Sequence, residues 1–280
     1  MSELIRRTSG LVDRAGALVS RFNRPIRDAL ILVGVGRAVV YFGVQGIHPW
    51  TFVGIDARAY WRVDLAHPYT GSGVGEVSTY LYSPPFAQIT APLSLLPFEA
   101  FYVVWLAAML AALAWLVRPW PQALLILSLP ISYELFVGNV HYFIAVAVAL
   151  GLRRPWPWAL PVLTKITPAV GLLWHVVRRE WRPLGFATAV LAGICGMSAI
   201  LAPAAWLDWF ALLLTSPGRS ELLMPRLVAA ALLVAFGAAT GRRWLVPVAV
   251  FIALPVVWVN SWVILLATIR LRERTSPASP

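Results

Sequence analysis

The sequence predicts an all-α polytopic membrane protein with about six full spans and two broken or re-entrant hairpins. Three observations predict it. Hydrophobic residues make up 60% of the 280, and the mean hydropathy is +0.75, well outside the range of a soluble domain. The apolar residues gather into runs, and about 20 consecutive apolar residues are what a ~30 Å hydrocarbon core requires. The basic residues stand at the ends of those runs, where the positive-inside rule places them.

The first element is a basic amphipathic interfacial helix over residues 1–28. Leu4, Leu11 and Leu18 fall seven apart, and Arg7, Arg14 and Arg21 repeat on another face, the pattern of a helix lying on an anionic leaflet. Gly10, Gly16 and Pro25 keep a partly disordered basic tail open as the alternative. No cleavable signal is read there. The membrane domain covers 29–270 and includes an extracytoplasmic loop, 48–97; a cytoplasmic tail, 271–280, follows. Its apolar segments run over 29–47, 98–117, 121–137, 139–152, 155–177, 184–203, 225–240 and 244–269. The stretch PPFAQITAPLSLLP (84–97) has too many prolines and too few residues to span, and reads as re-entrant or interfacial.

Arginine orients these segments. If each crosses once, Arg178, Arg179 and Arg182 fall outside, against the rule. If 155–177 and 244–269 each enter and return as hairpins, seventeen of the 22 arginines lie inside and four outside (Arg58, Arg62, Arg219 and Arg226). Both segments carry break points, Lys165 with Pro168 and Pro255 with Asn260. Arms of about 10–13 residues reach only roughly 15–20 Å, and broken half-helices are tolerated where they line a cavity. Both termini are then cytoplasmic. Asp56, Tyr82, Asn139, His141, Lys165, Arg226 and Asn260 converge toward the opposite face, as they would at an active site or in a water-filled vestibule.

The charge of +11 does not indicate nucleic acid, because no basic patch carries interleaved aromatics. Cys195 is alone in an apolar run and reads as a small buried hydrophobe. The four histidines, His48, His67, His141 and His175, lack metal-ligand spacing. No metal or cofactor is expected, and GSGVG (71–75) reads as a flexible loop.

Asp56, in GIDARAYWR, is either a general base at the membrane surface or the N-cap of the turn that follows. Tyr60 and Trp61 either stack on a sugar or anchor the loop in the interface. Asp64 reads as a surface residue. Asn139 and His141 sit in a turn between apolar helices, where a histidine caps or faces the interface. Lys165 is the single lysine and lies mid-segment; such a group costs ~2.5–3.5 kcal/mol on insertion scales and faces a cavity or a partner.

The stretches Asp56 to Trp61, Pro68–Tyr69, Tyr82 to Phe86, Pro92 to Pro97, Gly138 to His141, Lys165 to Pro168 and Pro255 to Trp262 together resemble a known family. In order and spacing they are similar to the polyprenol-phosphate-mannose-dependent mannosyltransferases of glycosyltransferase family 87. These are multi-pass enzymes of the GT-C superfamily from actinobacterial envelopes. The resemblance covers about residues 30 to 270 and implies a GT-C-like fold in the plasma membrane. It also implies an extracytoplasmic site, a polyprenyl-phosphate-sugar donor and a lipid-anchored glycan acceptor. Asp56 would be the base, Lys165 would face the leaving phosphate with Arg58 and Arg226 behind it, and Tyr60, Tyr82, Asn139, His141 and Asn260 would bind substrate. The chain departs from the family in carrying Asn260 and Ser261 where a His-His pair is usual, and in having fewer spans. Two other classes stay open: a non-catalytic lipid-binding or assembly member of the fold, and a lipid transporter or flippase.

Overall fold

A computed structural model describes residues 25, 27–37, 53–69, 79–215 and 222–272. Most of the expected interfacial helix, the 71–75 loop, Arg219 and the tail from 273 lie outside the described residues. Every regular element among those described is helical. In chain order they are α1 (27–37), α2 (Ile55–Trp61), α3 (Pro84–Thr90), α4 (Phe98–Val117) and α5 (Ala123–Ile126). Then come α6 (Ser128–Val137), α7 (His141–Gly151), α8 (Ala159–Lys165), α9 (Leu173–Val177) and α10 (Trp181–Leu201). The last four are α11 (Pro203–Thr215), α12 (Leu223–Thr240), α13 (Leu245–Ala253) and α14 (Ala267–Leu271).

Among the described residues, only α4, α10 and α12 are long and apolar enough to cross a membrane. Their 20, 21 and 18 residues make helices of about 27–32 Å. They present Val103, Leu110, Phe186, Met197, Ile200, Val228 and Leu232 outward, as lipid-facing helices do. Of the six full spans expected, the described residues account for part. The described residues supply three, or four if the pair α6–α7, bent by 113°, is one span. Segments 121–137 and 139–152 fall short because α6 and α7 have 10 and 11 residues, about 15–16 Å each. The expected first span, 29–47, is described only to residue 37.

Both broken segments are interrupted as helices, and in each the part after the break packs against the part before it. The first climbs through α8 to Ile166 and returns through the 3₁₀ segment Thr167–Leu172 and α9. Its return ends where Arg178 Nη1 donates to Ala238 O near the end of α12, at 3.1 Å. The second climbs through α13, turns at 254–258, and returns through the 3₁₀ segment Val259–Leu266 and α14. The pair α6–α7 folds back in the same way, so three short hairpins pack between the longer helices. All three turn near one end of the molecule. Arg153, Arg243, Arg270 and Arg272 gather at the other.

Proline placement explains several helix starts. Pro84 and Pro85 occupy the first two positions of α3, where the missing N–H costs nothing. α3 and the 3₁₀ segment Ala91–Leu95 that follows are too short to span, as expected for 84–97. Ile89 and Leu95 remain exposed there.

Candidate active site

Two glycines set the first part of the site. Gly54 and Gly138 adopt left-handed conformations, φ 66° and 75°, which glycine enters without steric cost. Both positions are also crowded. A Cβ on Gly138 would lie 2.8 Å from the Cβ of Ala57, and one on Gly54 would lie 2.8 Å from the Tyr102 ring. Gly54 N–H donates to Phe136 O at 2.8 Å, Tyr102 Oη to Leu135 O at 2.8 Å, and Trp105 Nε1 to Gly138 O at 2.8 Å. These bonds dock α2 and α4 onto the end of α6 and bring Asp56 against Asn139.

Asp56 is not an N-cap. Gly54 holds that position, and Asp56 stands in the first turn of α2. Its Oδ2 accepts from Asn139 Nδ2 at 2.6 Å. The Asn139 amide is oriented by its own backbone, since Oδ1 accepts the Val140 N–H at 2.7 Å, which leaves the NH₂ for the carboxylate. Tyr82 Oη reaches the same Oδ1 at 3.5 Å and pairs with Tyr60 Oη at 2.9 Å.

Lys165 Nζ lies 5.0 Å from the centroid of the Tyr82 ring, within cation–π range, and close enough to act on Asp56. The loop before α3 is tied to α8, the helix that carries this lysine. Ser83 Oγ donates to Leu163 O at 2.6 Å, Tyr69 Oη to Tyr82 O at 2.8 Å, and Tyr80 Oη to Ser83 O at 3.0 Å. The tyrosines of this loop therefore fasten it. Directly after Lys165, Ile166 has φ 55° and ψ −62°, an outlier for a β-branched residue.

Burial pushes the Asp56 carboxyl above its ordinary value, and Glu134 adds to this, while the Asn139 bond, Lys165 and His141 oppose it. A raised pKa makes the carboxylate a stronger base. Burial likewise keeps the Tyr60 and Tyr82 phenols above their ordinary range, so both remain hydroxyls.

A second polar cluster adjoins the first. Glu134 is fully buried in α6. Its Oε1 accepts the His141 N–H at 2.7 Å, and its Oε2 lies 3.0 Å from His141 Nδ1 and accepts from Asn260 Nδ2 at 2.8 Å. Ser261 Oγ is 3.5 Å from His141 Nε2 and accepts the Trp258 N–H at 3.1 Å. The order serine, histidine, carboxylate is that of a nucleophilic triad. All three side chains are buried, with exposures of 1% or less, so no substrate atom reaches the serine and the cluster is structural. It joins the turn of the second hairpin to the bend between α6 and α7.

The expected residues thus divide. Asp56, Tyr60, Tyr82, Asn139 and Lys165 come together, and His141 and Asn260 sit one step behind them on Glu134. Tyr60 offers no face for a sugar: it is fully buried, with its ring against Tyr82, Phe86 and Trp105. Trp61 anchors the loop by donating to Leu96 O at 2.8 Å. Arg58 lies over the Phe98 ring, 3.7 Å from its centroid. Arg226 donates to Ile252 O and Leu254 O at 2.9 and 2.7 Å, closing the end of α13. Asp64 is a surface residue whose Oδ1 accepts the Ala66 N–H. Glu134 was missed in the sequence, although a carboxylate inside the apolar run ISYELFV is itself a signal, because isolated charge is costly there.

Short helices between membrane-length ones, with a carboxylate and an amine on either side of a buried Tyr82–Asn139 pair, define a polytopic membrane protein with a polar site. Residues 80–279 match the family model of glycosyltransferase family 87, and the chain belongs to that family. It is a membrane glycosyltransferase. The matched stretch includes Tyr82, Asn139, His141, Lys165, Arg226 and Asn260 and begins after Asp56, Arg58 and Tyr60. No curated protein and no solved structure matches the chain.

Proposed function

We propose that the chain transfers mannose from polyprenyl-phosphate mannose to an envelope glycolipid or glycan, with inversion, on the extracytoplasmic face of the plasma membrane. The observation that carries this reading is that Asp56, held at 2.6 Å by Asn139, and Lys165, 5.0 Å from the centre of the Tyr82 ring, border the same Tyr82–Asn139 pair. A base and a cation joined through one tyrosine–asparagine pair suit a displacement in which an anion departs. Asp56 takes the proton of the acceptor hydroxyl. The hydroxyl oxygen forms its bond to the anomeric carbon as the bond from that carbon to the phosphate oxygen breaks. The electron pair leaves with polyprenyl phosphate, whose charge Lys165 stabilises. Arg58 and Arg226 are engaged elsewhere, so Lys165 acts without them. Tyr60, Tyr82, His141 and Asn260 hold the two charged groups in place.

The test is transfer of labelled mannose from the polyprenyl donor in membranes that contain the inserted protein. Asp56→Asn should lower turnover by about 10²–10⁴, and Lys165→Met by about 10²–10³, with both variants inserted at wild-type levels. Wild-type turnover in Asp56→Asn would end the assignment of the base. Transfer of another sugar from its polyprenyl phosphate in place of mannose would correct the donor alone.

A further inference from the structure

At the end of α7 remote from Asn139 lies a cavity of about 1030 Å³. The 11 residues of α7, about 16 Å of helix, separate it from the site above. Arg153 just beyond α7, Arg243 before α13, and Arg270 and Arg272 at the end of α14 all line it. Arginines from three separated stretches of chain thus line one space, and no acidic residue is among the described residues lining it.

These arginines differ from others in the protein. Arg27 and Arg178 pair with Asp28 and Glu180, and Arg226 is occupied by two carbonyls. Among the described residues none of the four at the cavity has a carboxylate within 4.0 Å. Arg270 is fixed in place: its Nη2 donates to Trp115 O, and its guanidinium lies 4.2 Å from the centre of the Trp115 ring. Its Nε is nevertheless buried without a partner. Arg118 adds a further charge that acts on Arg270. Like charges gathered in a partly desolvated space repel, and an anion placed among them relieves that repulsion.

The remaining walls indicate which anion. Val248, Leu265 and Ile269 form an apolar side, and Trp120 and Trp244 stand beside the arginines, each with 39% of its surface exposed. Tryptophan beside arginine at helix ends is the composition of the membrane–water interface. The volume also exceeds what a bare phosphate needs and suits a head group with the start of its acyl chains.

We propose that this cavity binds the phosphate head group of an anionic phospholipid of the leaflet that borders the arginine-rich end. Basic pockets between helices on the cytoplasmic side recognise such head groups. The guanidiniums engage the phosphodiester oxygens, and the apolar wall takes the first methylenes. The site is independent of the glycosyl donor assigned above and stands whether or not that donor is correct.

Native mass spectrometry of the full chain, purified with an equimolar mixture of phosphatidylglycerol and phosphatidylcholine, tests this directly. Phosphatidylglycerol should be retained several-fold over phosphatidylcholine. Arg243→Gln with Arg270→Gln should weaken that retention about 30-fold, and the corresponding Lys pair should keep most of it. If the double variant fails to fold, Arg243→Gln alone should still weaken retention about fivefold. Equal retention of the two lipids, or a preference that survives the Gln substitutions, would overturn the proposal. Inorganic phosphate displacing the lipid at matching concentration would overturn it as well, by identifying a soluble phosphate as the ligand.

Discussion

Asn139 Nδ2 stands 2.6 Å from Asp56 Oδ2, a bond between residues 83 positions apart. It anchors a small helix outside the long spans to the bend between α6 and α7. It also stabilises the charged form of a carboxylate that burial pushes toward its neutral form. The sign follows from that balance. The raised pKa holds the proton to a higher pH, so the base is lost as pH falls through a value above the ordinary 3.8. The acid limb of the transfer rate should therefore lie above that value. Asn139→Ala removes the opposing bond and should move the limb further toward neutral pH and lower the rate about 10-fold or more. A pH–rate profile of both proteins checks this, and an unmoved limb would separate Asn139 from the base.

Glu134 accepts from two donors and contacts a ring nitrogen inside the protein. Replacing it with alanine strands the His141 N–H and the Asn260 amide in a buried space, which should cost about 3–5 kcal/mol of stability. Glu134→Gln keeps the shape and one acceptor oxygen and should cost less. Unfolding of the purified variants in one detergent distinguishes them. A Glu134→Ala protein as stable as wild type would show that the cluster does not brace the hairpins.

Ile166 sits at the tip of the first hairpin in a conformation that costs roughly 1–3 kcal/mol for a side chain of its type. Ile166→Gly should relieve most of that strain and resist unfolding better than wild type. If the strain positions Lys165, transfer should fall roughly tenfold or more in the same protein. Stability and activity rising together would show that the strain has no positional role.

The hairpin topology predicts labelling on two sides. In a background lacking Cys195, a cysteine at exposed Leu65 should react with an impermeant thiol reagent in intact cells. Cysteines at Arg154 and Arg179, also exposed, should react only after permeabilisation. Labelling at Arg179 together with Leu65 in intact cells, with Arg154 reacting only after permeabilisation, would mean that segment 155–177 crosses once.

Much of this architecture is legible in local composition. The apolar runs mark α4, α10 and α12, and Lys165 with Pro168 and Pro255 with Asn260 mark where the other segments turn back. Asp56 and Lys165 stand out because charge is rare in such a chain. The run 121–152 misleads because its hydropathy is that of spans, whereas the left-handed turn at Gly138 and the break at Leu127 cut it into helices too short to cross. Arg226 has the charge expected of a phosphate ligand, but it is drawn to the free carbonyls where α13 ends.

By itself the sequence determined the solvent each segment prefers, the places where the chain turns, and the few charged groups that the membrane domain carries. Those are properties of a residue and its near neighbours. Partnership was decided only by the tertiary structure. Asp56 finds Asn139, and Asn260 reaches across 126 positions to Glu134, because three hairpins pack with their turns at one end. Buried polar groups then take whichever donor or acceptor that packing brings within 3 Å, since leaving them unpaired in a dry interior costs more than any local preference.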